Sequence, residues 1–225
     1  MTNEEYLLQK IKELEEENRR LKGEKPGKTK REKQAKGKAC RALTDEEYKE
    51  FIKLMKEGRP GCGFRGNPAV AMALSVEAST GLRISDVLQL KPSSIEQYDG
   101  EWHFSGVIEK KTGKPRDFVV QEYVADKIRL YCNDNGIKGD ELIFPFKERN
   151  VQARIQAVAD FLGLRNVSTH SFRKYFATRI YNENGRDIEL VRQVMQHASI
   201  DTTQKYLGVA KERVNDAIRN HHVEF

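Results

Sequence analysis

The sequence predicts a mainly α-helical protein with one small antiparallel β-sheet, an α+β class. Apolar residues recur at helical spacing through most of the second half of the chain. Paired strand patterns occur at WHFSGVIE and PRDFVV, joined through KKTGK. No strand–helix–strand repetition marks a parallel α/β sheet.

Residues 1–22 read as a helix with Leu7, Leu14 and Leu21 at heptad d positions and Ile11 and Asn18 at a. Leu at d with a β-branched residue at a favours a parallel two-stranded coiled coil, and a single Asn at a fixes register. These five residues are the expected dimerisation set. The alternative is one amphipathic helix packed on its own domain.

Residues 23–41 read as a flexible basic linker. Between Lys25 and Arg41, eight of seventeen residues are Lys or Arg against one Glu, a net +7, while the whole chain of 225 residues carries +6. Lys28, Lys30, Arg31, Lys33, Lys36, Lys38 and Arg41 are the candidates for contact with a nucleic-acid backbone, which would be salt-sensitive and largely blind to sequence. A soluble tether is the other reading.

The compact part is expected over 42–218, with a short tail at 219–225. Thr44 opens a helix as T-D-E-E, with Glu47 placed for a capping box and Phe51, Ile52 and Met55 as the apolar face. GRPGCGFRGNP reads as a glycine-rich loop. Its spacing matches no Walker or Rossmann loop. AVAMALSVEAST (69–80) is small and apolar, a buried helix, and Gly81 breaks it. ISDVLQL starts another, with Val87, Leu88 and Leu90 for the core. After the two strands, residues 122–135 and 148–163 read as helices with LIFPF between them. THSFRKYFATRIYNE, DIELVRQVMQ, DTTQKYLG and AKERVNDAIRNH complete the helical half.

Composition excludes several classes. Hydrophobic residues make up 38% and charged residues 33%, the balance of a soluble protein with a modest core. Cys40, Cys62 and Cys132 form no CxxC pair, which argues against a disulfide framework or zinc cluster and for a reducing compartment. No apolar run approaches the roughly eighteen residues of a membrane span. The N-terminus lacks the pattern of a signal peptide. His221 and His222 are adjacent, without matching ligands for a metal site.

Several side chains carry the candidate chemistry. His170 and Arg173, three apart, lie on one side of a helix. Thr169-His170-Ser171 reads as that helix's start, where backbone amides favour an anion. Otherwise His170 is a capping residue on a helix that packs through Phe172, Phe176 and Ile180. Arg83 follows the glycine turn. It is either an ion-pair partner of Asp86 or a phosphate clamp, since the guanidinium fork matches phosphate oxygens; spacing alone leaves both open. Tyr206 follows His197 by nine residues. Most tyrosines are core or interface residues. With an ordinary pKa of about 10, a nucleophilic phenol needs a proton acceptor or a cationic pocket. His170, His197, Arg83 and Arg173 are available for that.

TGLRIS, the hairpin KTGK, HxxR in HSFRKYFAT and H-x8-Y in HASIDTTQKYLG together resemble the tyrosine recombinases, or phage integrases, which share their catalytic fold with type IB topoisomerases. The resemblance covers about residues 42–218 and implies that fold. It implies a site-specific recombinase, an enzyme that breaks and rejoins double-stranded DNA through a 3′-phosphotyrosyl intermediate, in a bacterial or mobile-element setting and in the cytoplasm. Tyr206 is then the nucleophile, and Arg83 and Arg173 neutralise the non-bridging oxygens. Lys111, ahead of its neighbour Lys110, protonates the departing 5′-oxygen. His170 assists proton transfer, His197 hydrogen-bonds the phosphate and Asp86 is an acidic support. No cofactor or metal is expected. A homodimer is, and by family habit a tetramer on DNA, with the tail docked in cis or in trans. Typical members carry a helical core-binding domain ahead of the catalytic part; here residues 1–41 stand in that place. Rival readings are a non-cleaving DNA-binding accessory protein and a topoisomerase-like relaxing enzyme.

Overall fold

Thr44 opens the first helix among the described residues, where a capping box was expected. Its hydroxyl accepts the Glu47 amide at 3.2 Å, and Glu47 returns a carboxylate oxygen to the Thr44 amide at 3.0 Å. This helix, α1 (Asp45–Glu57), buries Phe51 and Met55. The computed structural model describes residues 40–59, 64–208 and 218–221. The expected dimerisation residues Leu7–Leu21, the basic positions Lys28–Lys38 and most of the last expected helix lie outside them.

Asn67 caps α2 (Pro68–Thr80) by accepting the Val70 amide at 2.9 Å, and Pro68 stands where its missing N–H costs nothing. Small apolar residues let most of α2 be buried, packed against α1 and a later helix. Gly81 ends it with φ +65°. A Cβ there would be strained and would also run into the Phe176 ring, so glycine is required twice over.

Two expectations are corrected in this region. The glycine-rich segment contains a two-residue antiparallel ladder, β1 (Gly58–Arg59) with β2 (Phe64–Arg65). ISDVLQL yields only one helical turn, α3 (Ile84–Val87), because Leu88 and Leu90 turn directly into the core.

The main sheet has three antiparallel strands in the order β3 (Ile95–Tyr98), β4 (Glu101–Ile108) and β5 (Pro115–Val120). β3 was not anticipated: Glu96 and Gln97 dilute its apolar alternation. A bulge separates the pairs Phe104↔Phe118 and Val107↔Arg116, with Gly106 at φ +67°. It shifts the inward phase of β4 by one residue. Val107 and Glu109 point inward while Ile108 is 54% exposed.

The remaining described elements after the sheet are helices: α4 (Glu122–Asp134), α5 (Glu148–Phe161), α6 (Thr169–Glu183), α7 (Ile188–Met195) and α8 (Ile200–Leu207). The main core joins Phe51, Leu74, Leu82, Phe104, Phe144 and Phe172. A smaller cluster of Ala177, Tyr181, Val191 and Met195 carries Tyr206 on its edge. Among the described residues no helix is long and apolar enough to cross a membrane.

Candidate active site

The charged centre begins at the end of α2. Arg83 is the N-cap of α3, so its side chain leaves the turn that Gly81 makes possible. Its Nη1 lies 2.8 Å from Glu109 Oε2 and 3.8 Å from Asp86 Oδ2. Its main partner is therefore Glu109, which the sequence reading did not name, with Asp86 farther off.

Asp86 is fully buried. Its Oδ1 accepts the Lys110 amide at 2.9 Å and faces the Ser85 hydroxyl at 3.4 Å. The carboxylate thereby ties the arginine turn to the β4–β5 hairpin, one residue before Lys111. The hairpin is closed by Glu109 and Lys114 at 2.9 Å and by the Gly113 amide on the Glu109 carbonyl at 2.8 Å.

Glu109 and Arg116 extend this centre. Glu109 Oε1 meets Arg116 Nη1 at 3.3 Å, and Thr112 donates to Glu109 Oε2 at 2.8 Å. Arg116 Nη2 donates to the Val194 carbonyl at 2.8 Å, which anchors the end of α7 to the sheet. Burial works against the charge on Glu109, yet Thr112, Arg83 and Arg116 hold its carboxyl below the ordinary carboxylate value. Burial lowers the Arg116 pKa.

Arg173 lies 2% exposed on α6. Its guanidinium donates to the Gly81 carbonyl and, at 3.1 Å, to the Met195 carbonyl. It therefore staples the α2 end to the α7 end. Burial brings its pKa down to about 10, so it stays charged near neutral pH. Two of its five N–H groups are used in this way, which leaves others for an anion.

His170 sits in the first turn of α6, at the helix start the sequence indicated. Partial burial, then the charges of Arg173, Arg83 and Lys111, hold it below its ordinary pKa, with Glu148 opposing. His197 follows α7, and its Nδ1 lies 3.0 Å from Thr203 Oγ1. Burial, followed by Arg173, Arg83 and Arg116, lowers it to about 4, so the ring is neutral near pH 7.

Tyr206 is on α8, its ring edge-on to His197 at 5.1 Å between centroids, with Lys174 Nζ 5.1 Å above its face. Its hydroxyl oxygen is buried, with the Arg173 guanidinium as its nearest charged neighbour and no hydrogen bond of full geometry. Burial raises the phenol pKa, Arg173 pulls it down and Glu77 pushes it up. Glu77, on α2, is fully buried with both carboxylate oxygens unpartnered, and burial pushes its pKa well up.

The structure thus brings Arg83, Lys111, His170, Arg173, His197 and Tyr206 into one electrostatic neighbourhood, with cations outnumbering ionised carboxylates. Such a centre is built for an added anion. Arg41 does not join it. Expected as the last residue of the linker, it is folded onto the domain instead. Both ends of its fork meet Glu47 at 2.6 Å, and its Nε donates to the Arg165 carbonyl at 3.3 Å. Glu109, Arg116, Thr203, Lys174 and Glu77 escaped the sequence reading. Among the described residues no His, Cys, Asp and Glu group could hold a metal ion.

Comparison with known proteins gives the family and the fold. The pattern of the phage integrase family matches residues 41–213. The probable integrase/recombinase YoeC of Bacillus subtilis is 29% identical over 148 residues, covering 63% of this chain and 78% of that protein. Tyrosine recombinase XerC of Halalkalibacterium halodurans is 30% identical over 161 residues, covering 64% and 51%. Tyrosine recombinase XerA of Pyrococcus furiosus is 27% identical over 217 residues, covering 93% and 68%. The chain spans about half the length of the XerC and XerD recombinases it matches. Among solved structures, a XerH site-specific recombinase in a post-cleavage complex with difH substrate aligns with a TM-score of 0.61 at 22% identity, over 81% of this chain and 54% of that one. The catalytic domain of bacteriophage HP1 integrase aligns at 0.53 and 17% identity, over 81% and 95%. These likenesses establish the expected catalytic-domain fold.

Proposed function

Because the chain belongs to the phage integrase family, we propose that it is a site-specific recombinase that cuts and rejoins double-stranded DNA with Tyr206 as nucleophile. The observation that carries this reading is Tyr206 at the edge of His197, within the field of Arg173, on a charged centre short of anions.

Tyr206 Oη forms a bond to the scissile phosphorus as the bond to the 5′-oxygen breaks. The phenol proton passes toward His170, and Lys111 delivers a proton to the departing oxygen. Arg83 and Arg173 hold the non-bridging oxygens, where charge grows most in the transition state. The phosphotyrosine conserves the bond energy, so the reverse attack rejoins the strand.

In the free protein the same groups are restrained. Glu109 occupies Arg83, and the Tyr206 hydroxyl is buried with its pKa raised. A bound phosphate would displace Glu109 from Arg83 and bring further negative charge to Arg173. On this reading the leading residues 1–22 pair two chains and the basic stretch follows the duplex backbone in the cytoplasm.

The test mixes the full chain with nicked suicide duplexes carrying a randomised centre and traps covalent adducts under denaturing conditions. Adducts that disappear in Tyr206→Phe support the proposal. Duplex binding with no adduct in the wild type overturns it in favour of an accessory protein. Relaxation of supercoiled plasmids without any preferred sequence moves it to a topoisomerase-like enzyme.

A further inference from the structure

Thr203 is fully buried on α8, three residues before Tyr206, and its hydroxyl has two neighbours. One is His197 Nδ1 at 3.0 Å, the other the Ser199 carbonyl at 3.4 Å. A hydroxyl has one proton to give. The Ser199 carbonyl already accepts the Thr203 backbone amide at 3.3 Å. The imidazole nitrogen is nearer and, among the described residues, has no other hydrogen-bond partner.

Where that proton goes decides what His197 offers a phosphate. Near neutral pH the ring carries a single N–H. If the threonine gave its proton to Ser199, Nδ1 would have to carry the ring proton, and Nε2 would turn a lone pair toward an anion. If the threonine donates to Nδ1, the ring proton sits on Nε2 and can be donated.

We propose that Thr203 is a positioning residue: it donates to His197 Nδ1 and so fixes the tautomer in which Nε2–H hydrogen-bonds the phosphate. This rests on the cleaving reading above for its consequence, but not for the tautomer itself. The His197 backbone is held without Thr203. Its amide donates to the Arg192 carbonyl at 3.0 Å, and Arg192 Nη1 donates back to the His197 carbonyl at 3.1 Å. Arg192 is in turn fixed by Glu189, with 2.6 Å between Nη2 and Oε1. Loss of the Thr203 hydroxyl therefore changes the ring's protonation pattern and leaves the loop in place.

Two readouts test this on the full chain. The first is the ¹⁵N spectrum of the free protein at pH 7, with His197 assigned by comparison with His197→Gln. The wild type is expected as the Nε2–H tautomer, and Thr203→Val as a mixture or as Nδ1–H. A wild type protonated on Nδ1, or an unchanged tautomer in Thr203→Val, overturns the proposal. The second is the rate of adduct formation on the nicked duplex pool. Thr203→Val should slow it about tenfold or more, the scale of losing one aligned donor in a reacting site, at unchanged duplex affinity. Thr203→Ser should return it to within about threefold of wild type, because the hydroxyl is kept. Equal rates in wild type and Thr203→Val overturn the role in cleavage. If the wild type forms no adduct, the cleaving reading fails, and the tautomer spectrum of the wild type alone still decides whether Thr203 donates to His197.

Discussion

Asp86 Oδ1 accepts the backbone amide of Lys110 at 2.9 Å, so a residue on the arginine turn sets the position of the lysine hairpin. The two motifs lie 24 residues apart in the chain and meet through one carboxylate oxygen. A hydrogen bond to a charged acceptor contributes about 1.5–3 kcal/mol, and its larger effect here is on where Lys111 stands. Asp86→Ala should therefore slow adduct formation about tenfold or more while duplex affinity changes little, as expected when a catalytic group is misplaced rather than lost. Asp86→Asn keeps an oxygen acceptor and should recover much of the rate. Single-turnover trapping with a separate binding titration checks this. A parallel loss of affinity in Asp86→Ala would mean that the residue supports DNA binding instead.

The legibility of this centre in the sequence followed the bonding pattern. TGLRIS, HSFRKYFAT and HASIDTTQKYLG are local strings whose chemistry shows in residue type, and their charged and titrating side chains lie within one another's electrostatic reach. Glu109 escaped because the bulge between Phe104 and Val107 inverts the alternation of β4, and Arg116 because it is a charged side chain on the inward face of β5, in phase with Val120. Read at period two from Phe104, Ile108 faces inward and Glu109 outward; the fold does the opposite. β3 was hidden by polar residues on an exposed strand, and the ISDVLQL helix was overread because apolar residues of a tight turn mimic helical spacing. Glu77 is the one acidic residue in the run 69–80 read as a buried apolar helix, and only tertiary packing shows that its carboxyl is closed over.

Glu77 gives a pH-dependent test of that packing. Burial raises its folded-state pKa above the ordinary 4.5. The folded protein then holds this proton at pH values where the unfolded chain has released it. The associated stability is fully present below the unfolded value and is lost as pH rises toward the folded one. Glu77→Gln does not titrate, so its stability relative to wild type should rise between pH 5 and pH 8. A gain of about 1 kcal/mol would raise Tm by roughly 2–4 °C in a domain of this size. Titration of His197 and Glu109 is common to both proteins and drops out of the difference. Thermal melts at the two pH values decide it. A difference that shrinks or turns negative toward pH 8 would show that Glu77 is ionised in the fold and stabilised by Arg173.

The basic positions ahead of the domain should divide into two classes in a salt titration. If Lys28, Lys30, Arg31, Lys33, Lys36 and Lys38 each neutralise a phosphate, replacing all six with Gln should reduce the slope of log affinity against log salt by up to about 5, since each contact contributes about 0.9. Arg41 should behave differently, because its fork is already occupied by Glu47 and its Nε by the Arg165 carbonyl. Arg41→Gln should leave the slope unchanged and lower Tm, since it removes the link between the start of the domain and the segment after α5. Binding titrations across a salt series, with a melt of each variant, separate the two behaviours. A slope reduced by about 1 in Arg41→Gln would mean that Arg41 leaves Glu47 for a phosphate when DNA binds.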